Sequence, residues 1–406
     1  MKRNTNIEAL RVVAMLMVIL LHFLSKGNHL PPLTGSMQGT GYVAWFLESL
    51  SIVAVNVYFL ISGFFLSTSD FKSKRLLNLV CQVFFYSIVI SIIFYALGKM
   101  EIAGLYDLLQ VVLPIQMKQY WFATAYVGMY LFAPILGIAV RGMRKEQLQI
   151  TIVGLLLFFS IAKSLLPVHL ATDEQGYDLV WFLCVYLVAA YIRLYGIAFY
   201  RNAKRAAICY LCFGSGIFLM AMLSRLIFMK TGRMEEYMIS LYGYNHIFNL
   251  LAAVSLFYVF ILSKETSVGR LVSKVAPYTF GVYLLHEQLQ LRYLWPSWLP
   301  GGESWKVSEL SNTLIGTRTA YAQTGASAVW LEGSLILFLL YALGSVLLVF
   351  LVGIGIDRLR AGLFLFIAKL LRGTRIDRFL THIDLCMAKK KNVLSDIVGG
   401  EFGESK

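Results

Sequence analysis

The sequence predicts an all-α fold: a polytopic transmembrane helical bundle of about ten spans, with both termini in the cytoplasm. The first observation is composition. Of the 406 residues, 58% are hydrophobic and 14% are charged, whereas roughly 25% are charged in soluble proteins. The second is that apolar runs of membrane-spanning length recur along the chain. The third is that basic residues gather between alternate runs, as they do in membrane proteins with several spans.

Ten apolar runs are long enough, or nearly long enough, to cross a bilayer as a helix, because a span needs about 20 residues. We expect the first of them to stay in the mature chain as an anchor, since its apolar region is too long for a cleaved signal peptide. The runs cover residues 7–25, 42–66, 76–97, 122–140, 150–167, 178–199, 206–229, 242–262, 276–294 and 333–356.

The basic residues orient the bundle. If the N-terminus is cytoplasmic, the inward segments hold fourteen Lys and Arg and the short outward loops hold five, so both termini are expected inside a cell (inner or plasma) membrane. An even number of spans agrees with this orientation. We expect two parts, a membrane domain over residues 1–356 and a basic, partly amphipathic cytoplasmic tail over 357–406.

The same charges argue against a nucleic-acid partner. The net charge is +14, but the basic residues form short clusters between apolar runs and no aromatic and basic stripe. The expected surroundings are a lipid bilayer. The five cysteines lie in spans, at their ends or in the tail, so no disulfide framework is expected. Cys209 and Cys212 form a lone CxxC, and no metal site is predicted.

The first run, Ile7 to Ser25, carries Arg11 and His22 among apolar residues. An ionisable residue at that depth costs on the order of 2 kcal/mol or more, so it needs a reason. Eleven residues turn a helix by about 1,100° and advance it by about 16 Å. Arg11 and His22 therefore share one face, near opposite membrane surfaces.

These two side chains suggest a reaction. A guanidinium suits phosphate, and a histidine is the commonest general base for a hydroxyl. Together they suggest a phosphorylated donor from inside and a hydroxyl acceptor from outside. The alternative is structural: Arg11 snorkels and pairs with Glu8, and His22 makes one structural hydrogen bond.

Other polar residues in the spans carry weaker hypotheses. Glu48 lies at a depth comparable with His22 and could fix its tautomer, or it could simply be solvated. Lys163 and Arg225 could snorkel from outer ends of spans. The outer segment between Arg292 and Leu331 is a candidate acceptor lid, or an ordinary interfacial loop, because of its tryptophans. These are Trp295, Trp298, Trp305 and Trp330.

The pattern Arg11-x-x-Ala14-x-x-x-Val18-x-x-x-His22, followed by VNVYFLISGFFL over residues 55–66, resembles acyltransferase family 3. The resemblance extends to Trp121-x-x-x-x-Tyr126-x-x-x-Tyr130-x-x-x-Pro134 and to Tyr283-Leu284-Leu285-His286, so it covers nearly the whole chain. It implies an integral-membrane enzyme that moves acyl groups, usually acetyl, from cytoplasmic acyl-coenzyme A to an extracytoplasmic polysaccharide, lipid-linked sugar or similar acceptor. Acyl-coenzyme A would be a co-substrate.

Carried over by position, the resemblance implies that His22 is catalytic and that Arg11 helps to bind the donor. The family expects two arginines three apart at the start of the third span. Here Arg75 is followed by Asn78, so Lys72 or Lys74 is the candidate partner of Arg75. Where many members have a glutamate, this chain has Tyr126, so no carboxylate role transfers there.

The remaining candidates are grouped by expected role. Ser62 and Gly63 could let backbone approach the pantetheine arm, although close helix packing explains them equally well. The candidate acceptor or pocket residues are Trp121, Tyr126, His286 and Glu287.

The sequence thus predicts a membrane O-acyltransferase, with acetyl as the expected group and His22 as catalytic base or acyl acceptor. Two rivals stay open. A transporter or flippase for lipid-linked sugars would tend to show broken spans in two related halves, and no such repeat is visible. A polysaccharide polymerase would lean on outward-loop arginines, of which the long outer segment has few beyond Arg292.

Overall fold

The computed structural model describes residues 4–166, 174–297 and 334–400, with side chains to residue 387 in the last range. Every regular element in these ranges is a helix, which confirms the all-α prediction. The helices are α1 (Thr5–Lys26), α2 (Gly39–Ser51), α3 (Ala54–Leu66), α4 (Ser73–Ala96), α5 (Leu105–Val112), α6 (Trp121–Gly142), α7 (Lys145–Leu156), a π-helical segment (Leu157–Ile161), α8 (Ala162–Leu165), α9 (Leu179–Tyr195), α10 (Ala203–Thr231), α11 (Glu235–Ser240), α12 (Ile247–Leu262), α13 (Ser267–Val272), a 3-10 turn (Ala276–Tyr278), α14 (Thr279–His286), α15 (Leu291–Ser297), α16 (Leu335–Leu370) and α17 (Arg375–Gly400).

Seven helical units in the described ranges are long and apolar enough to cross a membrane. The prediction of a multi-pass membrane protein is therefore confirmed. Two shorter apolar helices, α9 and α12, lie within the sixth and eighth predicted runs. The count of ten spans and the sides of the termini stay predictions. The seven units are α1, α2 with α3, α4, α6, α7 through α8, α10 and α16.

Helix α1 lies at the centre of the bundle. It packs against α2, α3 and each helix from α12 to α16. The side chain of Asn4 caps its start by accepting hydrogen bonds from the backbone N–H groups of Asn6 and Ile7, which satisfies donors that have no partner inside a helix. Its buried residues include Leu10, Ile19 and Leu24. Such enclosure on several sides explains why the whole run is apolar.

The predicted ninth span, residues 276–294, is not one continuous helix. The structure divides it into the 3-10 turn, the eight-residue α14 and the start of α15. The residues between α14 and α15 include buried Gln288 and Gln290, whose side chains hydrogen-bond to each other. A short break with its own polar partners replaces the regular ladder here, and it places Glu287 directly after α14.

A buried ion pair fixes α14 against α4 and α16. Asp357 accepts hydrogen bonds from Arg360 on its own helix and from Tyr86 on α4, at 2.8–2.9 Å. Gln82 adds a contact of 3.2 Å. The Asp357 carboxylate occupies the place that a side chain at Gly281 would fill, because a Cβ there would collide with Oδ1. Gly281 therefore permits this close contact on α14.

Two intramembrane cations do not snorkel, contrary to the interpretation above. Lys163 is 2% exposed and donates to Asn245 Oδ1 at 2.7 Å. Arg225 is 8% exposed and donates to the Gly35 carbonyl at 2.7 Å. The polar partners belong to segments that connect helices, so both side chains hold those segments in place.

Candidate functional site

Arg11 and Glu8 form the ion pair given above as the structural alternative. The guanidinium Nη1 lies 3.0 Å from Glu8 Oε1 and 3.2 Å from Oε2. The Arg11 side chain is 32% exposed and that of Glu8 is 8% exposed. The Tyr58 hydroxyl also donates to the Arg11 carbonyl at 2.8 Å. Any phosphate bound by Arg11 would share the guanidinium with this carboxylate.

His22 lies at the other end of the same helix, facing α14 and the residues after it. Its Nδ1 is 2.9 Å from His286 Nε2 and 3.2 Å from Glu287 Oε1. The two imidazole rings are 5.1 Å apart between centroids. These partners are about 264 positions away in the chain, and the packing of α1 against α14 brings them together.

The hydrogen-bond partners determine which ring nitrogens of His286 and His22 carry a hydrogen. His286 Nδ1 lies 2.6 Å from the Val282 carbonyl, which can only accept, so Nδ1 carries a hydrogen. In neutral His286, Nε2 is then an acceptor. His22 Nδ1 must therefore donate to His286 Nε2, and the Glu287 carboxylate accepts from the same nitrogen. The remaining nitrogen of neutral His22, Nε2, has the free electron pair that a base or nucleophile requires.

Two cations balance Glu287. The Lys26 ammonium pairs with Oε1 of Glu287, and Arg292 lies close enough to interact with the same carboxylate. Both Lys26 and Glu287 side chains are nearly buried, at 11% and 6% exposure. The Arg292 guanidinium also donates to the Gln119 carbonyl at 2.7 Å. The carboxylate thus holds α1, α14 and the start of α15 together.

Three side chains of this cluster have the spacing of metal ligands. Donor atoms of His22, His286 and Glu287 all lie within 4.8 Å of one another. Two imidazoles and a carboxylate are a familiar ligand set. Lys26 already occupies the carboxylate, so a dication would have to displace an ammonium from Glu287. The expectation of no metal stays a prediction.

A narrow cavity lies beside His22. Its volume is about 30 Å³, room for about two water molecules. Its wall follows one face of α1 towards Arg11, and the opposite walls are mostly aromatic. The lining residues are Met15, Val18, Leu21 and His22 of α1, Val55 and Tyr58 of α3, Trp121 and Phe122 of α6, and Tyr244, Phe280 and Tyr283.

The other end of the proposed donor path is the start of α4. Lys72, Lys74 and Arg75 are exposed there. Helix α17 of the tail packs on this end: Lys74 Nζ lies 2.7 Å from Asp377 Oδ1, and the Ser73 backbone N–H donates to Asp384 at 2.7 Å.

Comparison with known protein families adds a separate finding. The family model described as an acyltransferase domain matches residues 4–354. The chain belongs to acyltransferase family 3. Comparisons with curated proteins and with solved structures each found no match. The match covers the described helices from α1 to α15 and much of α16, whereas α17 follows it.

In this acyltransferase, Glu48 does not reach His22. The structure gives Glu48 no hydrogen bond to the imidazole, and its buried Oε2 has no partner among the described residues. The carboxylate next to His22 is that of Glu287. The sequence predicted Glu287 only as an acceptor or pocket residue. Its position next to His286, at the end of the Tyr-Leu-Leu-His pattern, was the available signal.

The remaining predicted residues of the acyltransferase fall into two places. Trp121 lines the cavity. Tyr126 lies nearby, where its hydroxyl accepts from Ser62 at 3.3 Å. Gly63 lies where α3 meets α9, and a Cβ there would be 2.9 Å from that of Ala189. Close packing, the alternative offered for Gly63, describes this contact. Trp298, Trp305 and Trp330 of the candidate lid lie outside the described residues, whereas Trp295 is buried on α15.

Proposed function

We propose that the protein is a membrane O-acyltransferase that transfers an acyl group, acetyl by expectation, from cytoplasmic acyl-coenzyme A to a hydroxyl group. The proposed acceptor is an extracytoplasmic polysaccharide or a lipid-linked glycan. The observation that carries the proposal is the pair of contacts at His22 Nδ1, from which the tautomer follows. Its Nδ1 is held by His286 and Glu287, which leaves Nε2 as the acceptor in a side chain that lines the cavity.

The proposed reaction starts with donor binding at the cytoplasmic end. Arg75 with Lys72 or Lys74 would hold the phosphates, together with Arg11. Guanidinium and ammonium groups are the usual phosphate ligands in proteins. The α1 face between Arg11 and His22 is about 16 Å long, a length that the extended pantetheine arm suits. Because the cavity holds about 30 Å³, its walls must separate to admit the thioester.

Two routes are compatible with the tautomer. In the direct route, His22 Nε2 takes the proton of the acceptor hydroxyl as its oxygen attacks the thioester carbonyl. In the other, Nε2 itself attacks the carbonyl carbon, and the C–S bond breaks to release the coenzyme A thiolate. The acceptor oxygen then takes the acyl group from the acyl-imidazolium, which restores the imidazole, and the acceptor proton passes to the thiolate. In both routes, Glu287 stabilises the imidazolium that forms, and His286 holds the ring orientation. These three residues therefore act as one unit.

The test is transfer of label. Inside-out vesicles that contain the protein receive acetyl-coenzyme A labelled in the acetyl group, and glycan extracted from the vesicles is counted. We expect incorporation by the wild type and background counts for His22→Ala. A transporter or a polymerase does not consume the thioester, so either would leave coenzyme A unreleased. Normal transfer by His22→Ala would contradict the catalytic assignment even if the thioester were consumed.

The sides of the membrane are part of the proposal. Both termini would lie in the cytoplasm of a cell-membrane protein, and His22 would lie near the outer surface. A cysteine at position 2 and another at the outer loop residue Lys99 would test this. Membrane-impermeant maleimide applied to intact cells should label the second position and spare the first. Labelling of both positions, or of the first alone, would overturn the orientation.

A further inference from the structure

The reaction above creates a negative charge for which the sequence names no partner. Attack on a thioester carbonyl moves an electron pair onto its oxygen, and enzymes stabilise that oxyanion with hydrogen-bond donors held in place beforehand. Such donors would have no partner in the protein until the charge forms. Candidate donors among the described residues are therefore buried groups that lack an acceptor.

One buried hydroxyl in the cavity wall has this property. Tyr283 is 5% exposed, and its hydroxyl hydrogen has no acceptor among the described residues. The Phe122 N–H lies close enough to interact with the hydroxyl oxygen. It lines the same cavity as His22. A buried hydroxyl left without a partner destabilises the folded state. This cost is understandable if the hydroxyl is kept for a ligand.

The start of α6 supplies a second set of donors at the same place. Trp121 and Phe122, in its first turn, line the cavity with Tyr283. The N-cap residue, Tyr120, provides no side-chain cap, and the first N–H groups of a helix have no partner inside it. The ring of Tyr283 packs against those of Tyr120 and Phe122, with centroids 6.1 and 5.5 Å away. The positive end of the helix dipole also favours an anion at this position.

We infer that the Tyr283 hydroxyl and the first turn of α6 form the oxyanion site of this enzyme. The inference rests on the proposed function and adds to it the residues that stabilise the intermediate. Helix α1 supplies the base on one wall of the cavity, and α6 with α14 supplies the donors on the others. The thioester carbonyl would lie between His22 and Tyr283.

The step balances without any further reactant. The acceptor oxygen bonds to the carbonyl carbon while its proton goes to His22 Nε2. The carbonyl electron pair moves onto the carbonyl oxygen, which accepts a hydrogen bond from the Tyr283 hydroxyl. The C=O bond then re-forms and the C–S bond breaks. The coenzyme A thiolate leaves and takes the proton from His22. The ester and free coenzyme A are the products.

The test compares two tyrosine-to-phenylalanine variants in the labelled-acetyl assay. Tyr283→Phe removes the proposed donor. Tyr120→Phe is the matched control, because the Tyr120 hydroxyl is equally buried and unpartnered among the described residues but does not line the cavity. We expect kcat of Tyr283→Phe to fall by about 10²-fold or more, with KM for acetyl-coenzyme A unchanged. Tyr120→Phe should keep the wild-type kcat.

A second measurement separates this role from a structural one. Loss of a hydroxyl that holds the fold lowers the melting temperature, whereas loss of an unpartnered hydroxyl leaves it unchanged or raises it. We therefore expect Tyr283→Phe to melt at or above the wild-type temperature in the same detergent. A lower melting temperature would overturn the inference, as would a kcat within about threefold of wild type or an equal loss in Tyr120→Phe. If the wild type itself consumes no thioester, the proposed function fails and takes this inference with it.

Discussion

Nδ1 of His22 lies 2.9 Å from Nε2 of His286, and the Val282 carbonyl on the far side of His286 sets the direction of that hydrogen bond. A backbone carbonyl thus decides which nitrogen of His22 is free. The side chains of a catalytic triad achieve the same end when an aspartate holds a histidine in one tautomer. Here a second imidazole and the Glu287 carboxylate share that task.

Glu287→Gln should lower kcat by about 10- to 100-fold. The loss should be smaller than the roughly 10⁴-fold caused by the corresponding change in a triad, because His286 Nε2 remains as an acceptor for His22 Nδ1. The labelled-acetyl assay measures it, with the exposed Glu265→Gln as control. Glu287→Asp should recover part of the loss. Wild-type turnover in Glu287→Gln would show that the carboxylate does not assist His22.

Val18→Phe should block the cavity. Val18 is 6% exposed and lines the cavity one turn from His22. The phenyl ring of the variant would fill this space of about 30 Å³. We expect transfer to fall to background and the affinity for free coenzyme A, measured by calorimetry, to fall as well, because the proposed path of the pantetheine arm follows this face of α1. Leu16→Phe, on the same helix but outside the cavity lining, is the control. Normal transfer by Val18→Phe would mean that the acyl group takes another path.

Gly281→Ala should destabilise the protein by about 1–3 kcal/mol, the usual cost of overpacking a core. The added methyl would collide with the Asp357 carboxylate. Gly355→Ala is the control, since nothing lies within 4 Å of its Cβ position. Thermal unfolding in one detergent compares the two variants. Equal melting temperatures would mean that α14 and α16 separate easily at this contact.

Removal of the two tail carboxylates should strengthen donor binding. Asp377 accepts a hydrogen bond from Lys74, and Asp384 accepts one from the backbone N–H of Ser73. A phosphate bound at this helix start would use the same two donors. In the double variant Asp377→Asn with Asp384→Asn, we expect KM for acyl-coenzyme A to fall severalfold with kcat unchanged. Thr381→Ala, exposed on the same helix, should behave as wild type. A higher KM would instead mean that the tail helps to hold the donor.

The same contact should respond to acid. Hydrogen bonds from Lys74 and from the Gly373 N–H lower the pKa of Asp377 below its usual value. Its contribution to tail docking is therefore complete above the usual aspartate pKa of about 3.9 and is lost as pH falls through the lowered value. Hydrogen exchange over residues 375–387 should stay slow at about pH 4 and speed up only in stronger acid. Loss of protection already at neutral pH would contradict this order.

The sequence predicted best those features that depend on residues close together in the chain. Long apolar runs predicted α1, α4, α6 and α10 because a bilayer demands length and hydrophobicity in one segment. The pairing of Arg11 with Glu8 also follows from i, i+3 spacing. By contrast, the helix α16 runs from Leu335 to Leu370 without a break, through the predicted domain boundary at residue 356.

Local sequence patterns could not predict the contacts between helices that form the site. His22 and Glu287 meet only because α1 packs on α14, and periodicity within one run says nothing about its neighbours. Depth in the membrane pointed to Glu48 as the partner of His22, whereas packing places Glu287 there. The break after α14 was hidden as well, because Gln288 and Gln290 satisfy each other inside an otherwise apolar segment.

The narrowness of the cavity beside His22 bears on the energy supply of the cell. A continuous file of water through a membrane protein would let protons run down their gradient. Aromatic walls that leave room for about two water molecules interrupt such a file. If donor and acceptor do arrive from opposite sides, the acyl group can change compartments while the membrane stays electrically tight.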